Sequence, residues 1–140
     1  MSGKKAITMD DALTAALGHT QQIYRALSEL SDLTQDMDAG TRQQDPVTLR
    51  LYLKLRAEPL SRAWEHKRQL RRLCSSLPDE EGERLLEILG GSLTTPLPAE
   101  VPLLDQVRRN QALLSRLIEA DRHISLRMGR ERSFYQKAPR

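Results

Sequence analysis

The chain has 140 residues, of which 39% are hydrophobic and 29% are charged, and its formal net charge is +3. This length and balance predict one folded domain and exclude an intrinsically disordered chain. No apolar leader follows Met1, no apolar run is long enough to cross a bilayer, and the single cysteine, Cys74, excludes an internal disulfide. We therefore expect a soluble, cytoplasmic protein.

The composition and the order of charges predict the fold class. Leucine dominates the apolar residues while aromatics reach only 4%, a composition typical of long helices. Counting Lys and Arg against Asp and Glu gives −3 for residues 1–45, +6 for 46–77, −6 for 78–105 and +6 for 106–140. We predict an all-α domain over residues 1–140, an elongated antiparallel helical hairpin or bundle of three long helices plus one short helix.

The first helix is predicted over residues 8–38. Thr8 can accept hydrogen bonds from the first unpaired amides, and Asp11 follows near the positive helix end. Apolar or small residues then recur at alternating spacings of three and four, which places them on one helix face: Leu13, Ala16, Thr20, Ile23, Leu27, Leu30, Thr34 and Met37. Gly40 predicts the end of this helix near Asp38.

The second helix is predicted over residues 46–77. Asp45 and Pro46 provide an N-cap followed by proline at the first helical position, and Pro59 predicts a kink. Residues 47–56 alternate apolar and polar with a period of two, which would also fit a half-buried strand. Helix is favoured because leucine is a weak strand former and the sequence offers no second strand to pair with.

A short helix over residues 79–89 begins with acidic residues and ends at two glycines. Residues 90–102 then contain three prolines and two glycines. This composition predicts a semi-extended linker that packs loosely.

The last helix is predicted over residues 103–135. Its best stripe combines apolar side chains with three acidic or amide side chains: Val107, Asn110, Leu114, Leu117, Asp121, Ile124, Met128, Glu131 and Tyr135. A stripe interrupted in this way is a weaker core element than that of the first helix. It therefore predicts a face that a partner must bury.

The sequence predicts neither a catalytic nor a metal centre. His19, His66 and His123 are spread over three segments, and no Cys or His pair has the spacing of metal ligands. No glycine-rich phosphate loop precedes a helix either. We expect a protein that is not an enzyme and uses no cofactor.

A basic run at residues 62–72 surrounds Trp64 and has two interpretations. Basic side chains around an aromatic ring can bind nucleic acid through phosphate contacts and stacking. Trp64 also shares a helical stripe with Leu70, which predicts a core anchor with the charges on the solvated face. The second interpretation is favoured because the acidic blocks can neutralise this face, and no membrane contact is expected.

The layout resembles the small flagellar type III export chaperones of the FlgN/FliT type. The specific likeness lies in the last helix, where Asn110 begins an Asn-x-x-Leu-Leu motif and Tyr135 stands near the end. The resemblance implies a cytoplasmic chaperone that binds the amphipathic terminal helix of an axial protein, a hook–filament junction or cap protein, and prevents its premature assembly. It further implies presentation of that protein to the export machinery.

The partner helix would then pack on a set of residues from the last helix: Val107, Asn110, Leu114, Leu117, Ile118, Ile124 and Met128. Two alternatives remain open. The first is a self-associating coiled-coil or adaptor protein, such as a homodimer. The second is a basic nucleic-acid-binding helical module centred on residues 62–72.

Overall fold

The computed structural model describes the backbone of residues 7–43 and 45–136 and the side chains of those residues up to 129. It contains α1 (Met9–Arg42), α2 (Pro46–Ser76), α3 (Asp79–Gly90), a 3-10 turn (Pro98–Glu100) and α4 (Val101–Gln136). No strand occurs in these residues, which confirms the predicted all-α class. Within the same ranges, no helix has both the length and the apolar character needed to cross a membrane.

Helix α1 begins as predicted and ends later than predicted. The Thr8 hydroxyl oxygen accepts a hydrogen bond from the Asp11 amide at 3.1 Å. The helix then continues past Asp38 through Gly40 to Arg42. Gly40 is buried, and a Cβ added to it would lie 3.6 Å from the Thr48 methyl group. The glycine therefore serves close packing against the start of α2, and tertiary contact extends the helix beyond its sequence signal.

Helix α2 is one continuous helix that includes residues 47–56 and Pro59. The Asp45 carboxylate accepts a hydrogen bond from the Thr48 amide at 3.2 Å and so caps the first turn. Few α2 side chains are buried; they are Pro59, Leu70 and Cys74. Leucines that alternate with period two point to both sides of a helix, so most of those in residues 47–56 stay exposed.

Two buried side chains, Leu93 and Glu100, anchor the segment after α3, for which the sequence predicts a loosely packed linker over residues 90–102. The Glu100 carboxylate is buried and accepts hydrogen bonds from Arg84 Nε at 2.8 Å and Arg84 Nη2 at 2.7 Å, and from the Leu97 amide at 2.8 Å. Leu93 is buried, and its carbonyl accepts a bond from Arg108 at 2.8 Å. Proline and glycine content shows where a helix stops, but it does not show which side chains hold the connection in place.

The Arg84 guanidinium lowers the pKa of the Glu100 carboxyl, because its hydrogen bonds favour the charged form. A carboxyl with a lowered pKa in the folded state stabilises the fold at neutral pH. That contribution is lost as the pH falls through the folded-state pKa. The connection between α3 and α4 is therefore held partly by charge.

Helix α1 packs against both α2 and α4. A first core cluster joins α1, α2, α3 and the start of α4, and its fully buried members include Leu85, Ile88, Leu103 and Leu104. A second cluster joins Leu27 and Leu30 of α1 to Leu113 and Leu117 of α4. Asn110 is hydrogen-bonded to Thr20, and Arg127 is hydrogen-bonded to Asp38. The residue numbers of these contacts increase together along both helices, so α4 is parallel to α1.

Two histidines meet across the α1–α2 contact. Nδ1 of His19 lies 2.9 Å from Nδ1 of His66, and the ring centroids are 5.2 Å apart. This hydrogen bond needs one protonated and one bare Nδ1, so it cannot form when both rings are imidazolium. Burial, and secondarily the neighbouring His66 ring, lower the pKa of His19.

The histidine pair predicts an acid-sensitive contact. Since the pKa of His19 in the folded state lies below its ordinary value of 6.5, the unfolded chain binds more protons between these two values. The free energy of unfolding should therefore fall as the pH drops below 6.5. Urea denaturation from pH 8 to pH 5 would measure this, and His19→Gln should flatten the profile. His123→Gln, at an exposed histidine on α4, is the matched control; an equal flattening there would contradict the assignment.

Candidate protein-binding groove

An apolar cleft of about 460 Å³ lies between α2 and α4. Helix α1 forms its floor with Thr20, Ile23 and Leu27, and α3 closes one end with Leu86 and Leu89. The two walls are supplied by α2 and α4: Lys67, Leu70, Arg71 and Cys74 on the first, and Val107, Asn110, Gln111 and Leu114 on the second. We call this cleft and its rims the α2–α4 groove.

The rims of the groove carry large apolar side chains that the fold leaves exposed. On α4 these are Leu114 and Ile118, which are 44% and 60% exposed. On α2, Leu60 and Trp64 precede Lys67 by two turns and one turn on the same helix face, and Trp64 is 51% exposed. Apolar surface that borders an apolar cleft on both sides is typical of a protein-binding site.

An ion pair joins the two walls at the end of the groove away from α3. Arg56 Nη2 on α2 donates to the Asp121 carboxylate on α4 at 2.7 Å, and Arg56 Nη1 lies 3.4 Å from the Met37 sulfur on the α1 floor. The groove is thus bounded by α3 at one end and by this pair at the other. A helix laid in it would run along α2 and α4.

The seven predicted partner-binding residues divide into two groups. Val107, Asn110 and Leu114 line the groove, and Ile118 follows Leu114 by one turn on the same face of α4, which places it on the rim. Leu117 and Ile124 are buried inside the chain instead, and Met128 is partly buried. The stripe of the last helix is therefore not a free face over its whole length, because much of it already packs within the chain.

Asn110 forms its polar contacts inside the chain. Its Nδ2 donates to the Thr20 carbonyl at 2.8 Å, and its Oδ1 accepts from Gln106 at 3.0 Å. A buried amide must be paired, so these bonds explain the polar residue in the stripe without a partner. Asn110 fixes the register of α4 on α1.

Trp64 was predicted as a core anchor, and this prediction was wrong. The ring is half exposed, and the Lys67 ammonium lies 5.2 Å from its centroid. The helical periodicity of the sequence puts Trp64 and Leu70 on one apolar stripe of the helix. Only Leu70 faces α1 closely enough to be buried. Sequence reasoning also missed the contributions of α1 and α3 to the groove, because their residues there look like ordinary core positions.

The other features of the molecule offer weaker sites. A larger cleft of about 550 Å³ lies between α1 and α4, but charged and polar side chains are mixed with the apolar ones in its lining, and Asp38 in it is already paired with Arg42 and Arg127. Cys74 is buried, and burial raises the pKa of its thiol, which disfavours the reactive thiolate. No group of three or more metal-ligating side chains occurs among the residues described above.

The chain was compared with models of known protein families, with characterised proteins and with solved structures, and none of them matches.

Proposed function

We propose that the chain is a chaperone that holds an amphipathic helix of a partner protein in the α2–α4 groove. The observation that carries this proposal is the apolar cleft with exposed apolar rims on both walls. A helix with apolar residues at spacings of three and four would cover Leu114 and Ile118 on one side and Leu60 and Trp64 on the other. Burial of these four side chains would supply the main driving force.

The proposed partner is an export substrate of the flagellar type III system, a hook–filament junction or filament-cap protein. The resemblance of the last helix to the FlgN/FliT chaperones supports this choice of partner. Shielding the terminal helix of such a subunit would keep it unassembled in the cytoplasm. The chaperone would release the subunit to the export machinery.

Calorimetry with synthetic terminal helices of axial subunits tests the proposal. The double variant Leu114→Asp/Ile118→Asp should weaken binding by about thirtyfold or more, since two apolar contacts worth about 1 kcal/mol each are replaced by charges. Leu126→Asp, at an equally exposed leucine of α4 outside the groove, is the matched control and should leave the affinity unchanged. Equal affinities for the groove variant and the wild type would refute the site.

The single tryptophan supplies an independent signal for the same experiment. Trp64 lies on the rim, so a bound helix should cover its ring and shift its fluorescence to shorter wavelength. Binding without any change in Trp64 fluorescence would place the partner elsewhere on the molecule.

A nucleic-acid-binding module is the second candidate function, and the exposure of Trp64 is the observation that favours it. An exposed ring beside Lys67 and Arg71 could stack on a base. Two neighbouring arginines speak against nucleic-acid binding, because Arg62 and Arg68 on the same helix are already paired with glutamates. Random single-stranded DNA and RNA titrated at several salt concentrations would decide, because phosphate binding weakens steeply as salt rises.

A further inference from the structure

We infer that the helix bound in the α2–α4 groove carries acidic side chains beside its apolar stripe, and that Lys67 and Arg71 bind them. This inference rests on the proposed function and specifies the chemistry of the partner. The charged residues that line the groove support it. They are Lys67 and Arg71, both cationic and both on the α2 wall.

Neither cation forms an ion pair with any residue that the structure describes. Other arginines on the same helix do: Arg56 pairs with Asp121, Arg62 with Glu29 and Glu58, and Arg68 with Glu65. Arg50, Lys54 and Arg72 of α2 likewise have no ion pair within the described residues, but of these five cations only Lys67 and Arg71 line the groove. Lys67 is also held in position, since its ammonium lies over the Trp64 ring at 5.2 Å.

The opposite wall offers no competing carboxylate. The polar groove residues of α4 are Asn110 and Gln111. The Gln111 amide is engaged by the carbonyl of Gly90, to which it donates at 2.8 Å, and Asn110 is bonded to Thr20. An acidic side chain that enters the groove would therefore meet cations on α2 and neutral amides on α4.

The spacing of the two cations sets a pattern for the partner. Lys67 and Arg71 are four residues apart on α2, so they lie on one row about 6 Å apart. A partner helix running along α2 would match them with Asp or Glu at positions i and i+4. The wall from Leu60 to Cys74 spans roughly 21 Å at about 1.5 Å per residue, so the partner helix needs about four turns.

The long-range charge of α2 favours the same partner. Residues 46–77 carry a net charge of +6, from eight Lys and Arg against two Glu. This field attracts an acidic helix and repels a basic one before contact. It also disfavours a second copy of the chain as occupant, because a copy docking through its own α2 would bring two segments of +6 together.

Two designed helical peptides test the inference. Both have the same length and apolar stripe, and they differ only at positions i and i+4, which are Glu in one and Lys in the other. Against the wild-type chain at low salt, the Glu peptide should bind on the order of tenfold tighter. The double variant Lys67→Glu/Arg71→Glu should reverse this preference. Arg50→Glu/Lys54→Glu makes the same change of charge on exposed positions of α2 outside the groove, and it should keep the wild-type preference.

The outcomes separate this inference from the proposed function. If both peptides bind equally and the Lys67→Glu/Arg71→Glu variant shows no reversal, the acidic partner is wrong while the apolar groove stands. If neither peptide binds while Trp64 remains exposed, the proposed function itself fails. If sedimentation shows that the chain alone dimerises, and the Trp64 fluorescence shows that the ring is covered in the dimer, a second copy occupies the groove. The inference is then overturned.

Discussion

Replacing Leu117 with aspartate is expected to unfold much of the molecule, whereas the same change at the neighbouring Ile118 should leave it folded. Leu117 is 6% exposed and packs with Leu27, Leu30 and Leu113 between α1 and α4. The substitution removes a buried leucine and places an unpaired carboxylate in its position. Together these effects should lower the free energy of unfolding by about 4 kcal/mol or more, a large part of the 5–15 kcal/mol typical of a domain.

Ile118→Asp is the matched control, because Ile118 is 60% exposed on the groove rim. Its effect on the free energy of unfolding should stay within about 0.5 kcal/mol, as is usual for surface substitutions. Urea denaturation followed by circular dichroism measures both variants. Similar midpoints for the two would contradict the orientation of α4 on α1. The contrast also means that variants at Leu117 cannot test partner binding, since they would destroy the fold first.

Gly82→Ala is expected to destabilise the chain even though alanine is the better helix former. Gly82 lies in α3, and a Cβ added there would stand 2.7 Å from the carbonyl oxygen of Cys74 in α2. A backbone oxygen cannot rotate away, so α3 must move off α2 and loosen the core around Leu85. We expect a loss of about 2 kcal/mol in the free energy of unfolding.

Gly18→Ala is the matched control within a helix. Apart from the adjacent residues and backbone of its own helix, α1, no atom lies within 4 Å of a Cβ added to Gly18. Alanine there should stabilise the chain by about 0.5–1 kcal/mol, because glycine loses more backbone entropy on folding. Thermal unfolding of both variants should give midpoints shifted in opposite directions. A rise for Gly82→Ala would mean that α3 does not approach α2 as described.

The existence of the helices could be predicted from the sequence because their signals are local. Thr8 and Asp45 cap the amides of their own helices, and the alternating spacing of three and four repeats over many turns of α1. The end of α1 and the packed connection before α4 could not be predicted. They depend on contacts such as Gly40 with Thr48 and Arg84 with Glu100, which join different elements of the chain.

The candidate site was predicted only in part for a related reason. A periodic stripe identifies which residues share a face of a helix, but it does not show how far a neighbouring helix covers that face. Leu117 and Ile118 are adjacent in the sequence, and α1 buries only the first. Trp64 likewise lies at the edge of its stripe, beyond the reach of α1. The groove exists because α2 and α4 both pack on α1 without closing on each other.

This central position of α1 has a consequence for the order of folding. Helices α1 and α2 are joined by a short connection, so their contact closes only a small loop. The contact of α4 with α1 closes a much longer one, since Thr20 and Asn110 are separated by 90 residues. Loop-closure entropy favours the shorter loop, so we expect the α1–α2 hairpin to assemble before α4 docks. During that interval Leu27 and Leu30 would present an open apolar face, because their packing partners Leu113 and Leu117 lie on α4, and the second wall of the groove would form last.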